Sequence, residues 1–131
     1  MELIGVVAAA AAAWVSGAIW YMLWSKPWAK DAGLALDEHG DPKGHGSAAP
    51  FVISAIAMLV VAGMMRHIFG MGEIETPIKG ALSGLGIGLF FIAPWILINN
   101  TYAMRPLRLT LIDGGYAAIA CTLMGVVLCL F

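Results

Sequence analysis

The stretch Pro77-Ile-Lys-Gly-Ala-Leu-Ser-Gly-Leu-Gly-Ile-Gly-Leu-Phe-Phe-Ile-Ala-Pro-Trp-Ile-Leu-Ile-Asn-Asn-Thr101 carries one charge, Lys79, close to its start. A bilayer core about 30 Å thick is crossed by roughly 20 helical residues, so this segment is long enough to span. Lipid offers no partner to backbone N–H and C=O groups, which restricts spanning segments to helices and closed barrels. The segment far exceeds a barrel strand of about 9–11 residues and does not alternate polar with apolar side chains. It reads as a transmembrane helix, with Thr76 as N-cap and Pro77 in the first turn.

The rest of the chain repeats the pattern. Residues 3–23, 50–71 and 106–131 are equally apolar, and Pro50 and Pro106 open the second and fourth stretches as Pro77 opens the third. The stretch 24–49 holds most of the acids and lysines, with Gly40, Pro42, Gly44 and Gly46, and reads as one substantial loop. The short link Met104-Arg-Pro106 makes the last two helices a hairpin. The predicted fold is all-α: a single membrane domain of four transmembrane helices in an antiparallel bundle. Composition agrees, since the 131 residues are 61% hydrophobic and 11% charged with mean hydropathy +0.89, against about 25% charged in soluble domains. A net charge of −1 gives no electrostatic basis for binding nucleic acid.

Residues 8–13 are all alanine and offer small side chains of the kind that precede a signal cleavage site. The extreme N-terminus carries Glu2 and no basic residue, however, and the apolar run is long, so the segment reads as a retained helix with its alanine side against protein. Lys26, Lys30, Lys43, Arg105 and Arg108 fall on one side of the membrane and Arg66 and Lys79 on the other. The positive-inside rule then puts the loop and hairpin in the cytoplasm and both termini outside, in what reads as a bacterial inner membrane.

Gly80, Gly84 and Gly88 form a small-residue ridge on helix three, and Ala117, Cys121 and Gly125 form a weaker one on helix four. Such ridges let helix backbones approach closely. Two readings stand: a seam between copies in a homo-oligomer, or packing within one bundle.

Asp113 lies about two turns into helix four, and Asn99 and Asn100 end helix three. Ionisable groups inside a membrane are functional candidates by default. Asp113 with Asn99, Asn100, Tyr21, Arg105 and Arg108 forms either a structural polar network or a proton or cation site. Arg108, five positions from Asp113, points elsewhere on the helix. Pro94, inside helix three, removes a backbone bond and should kink the helix there. Trp20, Trp24 and Trp28, beside Lys26 and Lys30, read as an interfacial aromatic belt, with a ligand-binding aromatic box as the alternative.

Asp37, Glu38, His39, Asp41 and His45 are of ligand type but lack zinc spacing, and Met64, His67 and Met71 read as ordinary helix residues. No metal or cofactor is expected. Cys121 and Cys129, two turns apart on one helix, are too distant to bridge. No catalytic constellation is present, so an enzyme is not expected. The composition points to the lipid bilayer as the first partner, with a homo-oligomer or a larger membrane complex as the second.

Gly17-Ala-Ile-Trp20-Tyr21, Lys26-Pro-Trp28, Gly33, Asn99-Asn100, Arg105-Pro106 with Arg108, and Gly115-Tyr116 together resemble the domain of unknown function 1761 family of small membrane proteins. The resemblance spans nearly the whole chain. It implies four membrane helices and no established activity. The expected role is a non-enzymatic scaffold or accessory subunit, with a small channel or transporter using Asp113 near Pro94 as the alternative.

Overall fold

A computed structural model describes residues 2–40, 43 and 47–131. Among these, α1 spans Glu2–Leu23, α2 Ser25–Asp31, α3 Ala49–Met71, α4 Pro77–Tyr102 and α5 Leu107–Leu130. The helices α1, α3, α4 and α5 are long and apolar enough to cross a membrane, and they pack as an antiparallel bundle. The short α2 lies within the stretch that composition reads as loop, and it folds back onto α1 and α5.

Local chemistry sets the ends. Thr76 is extended and its hydroxyl accepts from the Lys79 N–H at 3.3 Å, with Pro77 in the first turn. Pro106, extended with φ −68°, starts α5. Three helices end in one device: Gly33, Glu73 and Met104 take positive φ, and the next residue's N–H reaches the carbonyl five positions back. These are Leu34 to Ala29, Ile74 to Phe69 and Arg105 to Asn100. Such a reversal satisfies orphan helix carbonyls, usually with glycine at the left-handed position. Here only Gly33 is one.

The core sits where α1, α3 and α5 meet. Ala9, Ala10 and Ala13 bring α1 close, with Met65 and Phe69 from α3 and Met124 and Leu128 from α5 filling the centre. The two small-residue ridges face each other. A side chain at Gly80, Gly84 or Gly88 would collide with the Gly125, Cys121 or Ala117 carbonyl, respectively. The α4 ridge is therefore filled by α5 of the same chain.

Around Pro94 the helix does not simply kink. Gly88–Ile92 forms a π-turn, with the Ala93 N–H bonded to the Gly88 carbonyl. Pro94 lacks an N–H and its ring presses on the preceding turn, and a wider turn just before it absorbs that mismatch. By contrast, α3 packs mainly on α1 and α4 mainly on α5, while direct contact between α3 and α4 is marginal. The bundle is left open on that side.

Candidate functional site

At the end of the bundle where α2 folds back, α1 and α5 exchange large side chains for glycines. The Tyr116 hydroxyl comes within 2.7 Å of where a Cβ on Gly17 would stand, and the Trp20 ring within 3.0 Å of one on Gly115. The Arg105 guanidinium lies against Gly33 in the same way. The Gly17–Tyr21 and Gly115-Tyr116 motifs thus each supply a bulky group and a vacancy for the other. Hydrogen bonds fix the fit: the Trp20 indole N–H donates to the Ile112 carbonyl at 2.9 Å, and the Tyr116 hydroxyl to the Ala13 carbonyl at 2.8 Å.

Tyr21 is the centre of the cluster. Its hydroxyl donates to Asp113 Oδ1 at 2.7 Å. Its ring meets Trp28 and Tyr116 edge-on, with centroids 5.7 and 5.4 Å apart. The Trp28 side chain also approaches the Asp113 carboxyl. Asp113 lies six positions into α5, about 9 Å along it.

Asn99 and Asn100 are not brought to Asp113. Asn100 donates to the Thr110 hydroxyl at 3.1 Å, and Asn99 is exposed. The helix geometry explains this correction, because the tight hairpin pairs the end of α4 with the first turn of α5, whereas Asp113 faces α1. The two arginines are likewise elsewhere. Arg108 makes a two-pronged bond to Asp31 on α2, whose side chain is only 7% exposed. That guanidinium holds the Asp31 carboxyl below the usual carboxylate range. Asp31 and Tyr116 carry roles that the charge pattern alone does not assign. The cue for Asp31 was the otherwise unpaired Arg108, and for Tyr116 the adjacent Gly115.

Of the aromatic residues, Trp24 is 44% exposed and tilts on Trp20, as a residue at the membrane surface does. Trp28 instead turns inward. With Tyr21, Tyr116 and Asp113 it heads a half-open cavity of about 430 Å³. Met58 and Val61 of α3 form one wall, Ile92 and Ile96 of α4 the other, and Ala117, Ala120, Cys121 and Met124 of α5 the floor. A second cavity of about 420 Å³, lined by Trp14, Ala18, Phe51 and Ser54, shares Tyr21, Trp28 and Tyr116 with the first.

Among the described residues no group of histidines, cysteines and carboxylates is placed to hold a metal ion. Asp41 and His45 lie outside the described residues, Asp37 accepts from the His39 N–H, and Met64, His67 and Met71 are exposed on α3. Cys121 and Cys129 are free thiols.

A family model described as "Protein of unknown function (DUF1761)" matches residues 4–129. The chain belongs to this family. Comparison with curated proteins and with solved structures finds no match.

Proposed function

We propose that this member of the family is a non-enzymatic membrane carrier, which admits an apolar molecule with a polar head from the bilayer into the open side of its bundle. One observation carries the reading: the cavity between α3 and α4 sets a single carboxylate, engaged by a phenol, at the end of an otherwise apolar trough. Ligand sites are typically concave, mostly apolar and about 300–1,000 Å³, with few polar groups that orient the ligand. The π-turn at Gly88–Ile92 supports the same reading, because such turns recur at functional sites and Ile92 lines this wall. Its non-enzymatic character rests on the lining, where Tyr21 occupies Asp113 and Cys121 has no base beside it among the described residues.

A scaffold or accessory subunit of a larger membrane complex is the second reading. The breadth of α3 and α4 left uncovered in one copy favours it, with Ile53 65% and Phe90 72% exposed. A homo-oligomer would use such a face and not the Gly80, Gly84, Gly88 ridge, which α5 fills. We place the protein in a bacterial inner membrane with both termini outside, on the weight of Lys26, Lys30, Lys43, Arg105 and Arg108 against Arg66 and Lys79. Labelling of a cysteine at position 43 by an impermeant reagent in intact cells would reverse that orientation.

The carrier reading is tested by saturable binding of tritiated dodecanol to the protein in nanodiscs, corrected against empty discs. Val61→Phe fills the trough and is expected to lower binding at least fivefold. Equal binding by the variant, or no saturable binding of any dodecyl amphiphile, overturns the reading.

A further inference from the structure

Among the described residues Asp113 is the one carboxylate lining the cavity, and the groups that approach it, the Tyr21 hydroxyl and the Trp28 indole, are both neutral. Among the described residues no lysine, arginine or histidine pairs with it. The arginines are committed elsewhere: Arg108 to Asp31, Arg105 against Gly33, and Arg66 to the Leu128 carbonyl and Glu2 at the other end of the bundle. A carboxylate at membrane depth is expensive unless neutralised by a proton or a cation. Around it stand Tyr21, Trp28 and Tyr116, all lining the same cavity. Aromatic rings beside a carboxylate are the setting that receives organic ammonium groups, since the ring quadrupole attracts a weakly hydrated cation. Below the rings the trough is apolar along Met58, Val61, Ile92 and Met124, and it opens sideways where α3 and α4 part.

We propose that the cavity binds an amphiphilic organic monocation, with its ammonium head between the Asp113 carboxylate and the Tyr21, Trp28 and Tyr116 rings and its alkyl tail along the trough between α3 and α4. This rests on the carrier reading and names its ligand class. Charge complementarity selects the head: the ligand supplies the counter-charge that the chain leaves out. A neutral amphiphile leaves the carboxylate uncompensated, and an anionic one is repelled.

The test compares two tritiated probes in nanodiscs of zwitterionic lipid: dodecyltrimethylammonium, and its uncharged isostere in which carbon replaces the nitrogen. Saturable binding of the cation at least tenfold tighter than the isostere is expected, with Asp113→Asn removing the preference and Val61→Phe weakening both probes. Equal wild-type affinity for the two probes overturns the ligand class while leaving the carrier reading in place. Saturable binding of neither overturns both. An unchanged preference in Asp113→Asn assigns the cation to another site and overturns the proposal. If that variant does not fold, the wild-type comparison and Val61→Phe decide alone: a cation preference that Val61→Phe does not weaken also overturns it.

Discussion

Arg108 on α5 holds Asp31 on α2 through two parallel hydrogen bonds, Nε to Oδ2 at 2.5 Å and Nη2 to Oδ1 at 2.8 Å. This clasp fastens a seven-residue helix that is too short to persist by itself, and α2 carries Trp28 into the cavity. Arg108→Lys keeps the charge but loses the planar two-pronged geometry. It is expected to lower the midpoint of thermal unfolding in detergent by on the order of 3 °C, and to increase exposure of Trp28 to an aqueous quencher. A variant with wild-type quenching would show that α2 is held by other contacts.

The same pair sets a pH dependence. Asp31 is held below its ordinary value of 3.8, first by the hydrogen bonds from Arg108 and further by that charge and Lys30. A carboxyl depressed in the folded state stabilises fully above its unfolded pKa, and the contribution is lost as pH falls through the folded value. The stability gap between wild type and Asp31→Asn should therefore stay constant from neutral pH down to about 5. It should close only below 3.8. Melting curves across that range check it, and a gap that widens in acid contradicts the assignment.

Gly84 and Gly86 sit two positions apart on α4 but meet different surroundings. A Cβ on Gly84 would collide with the Cys121 carbonyl, whereas one on Gly86 would meet nothing within 4 Å. Gly84→Ala should destabilise by about 1–3 kcal/mol by forcing two backbones apart. Gly86→Ala should be neutral or slightly stabilising, since alanine is the better helix former. Equal effects on unfolding in detergent would show that α4 does not pack on α5 through this ridge.

The four membrane helices and their antiparallel bundling were legible because apolar length, prolines in first turns and the short Met104-Arg-Pro106 link are local signals. The facing of Gly80, Gly84 and Gly88 toward Ala117, Cys121 and Gly125 was half legible: both ridges can be read along the chain, but not which surface each meets. The site was harder. Asp113 announces itself as an isolated charge, and of the residues grouped with it Tyr21, 92 positions away, is the one that bonds to it, whereas Asn99 and Asn100, drawn in by proximity along the hairpin, do not. Asp31 was hidden in a stretch whose composition says loop. The π-turn was invisible because Pro94 marks a disturbed helix without stating the form the disturbance takes.

Met104 has φ +59° in the α4–α5 hairpin and is 90% exposed. Its left-handed backbone costs an L-residue about 1–2 kcal/mol, and its side chain returns little by packing. Met104→Gly is expected to stabilise by about 1 kcal/mol, the relief being offset in part by greater freedom in the unfolded chain. Chemical unfolding in mixed micelles measures the gain, and a clear loss would show that the turn is not under backbone strain.

Tyr21 and Asp113 form a pair whose two halves predict different things when removed singly and together. Asp113→Asn retains an oxygen to accept from the Tyr21 hydroxyl, so its cost should be small. Asp113→Leu leaves that hydroxyl, in a half-buried setting, with no acceptor, and an unsatisfied group of this kind costs about 1–3 kcal/mol. Tyr21→Phe in the Asp113→Leu background removes the orphaned hydroxyl as well. The double variant should then be more stable than Asp113→Leu alone, because replacing both members of a polar pair with apolar groups of similar shape is nearly neutral. Asn100→Ala should add its effect to that of Asp113→Leu without coupling, since Asn100 is bonded to Thr110 and not to the carboxylate. Thermal unfolding of the single and double variants in one detergent measures both couplings. A double variant no better than Asp113→Leu, or a strong coupling to Asn100, would mean that Asp113 answers chiefly to α4 and that the Tyr21 bond is incidental.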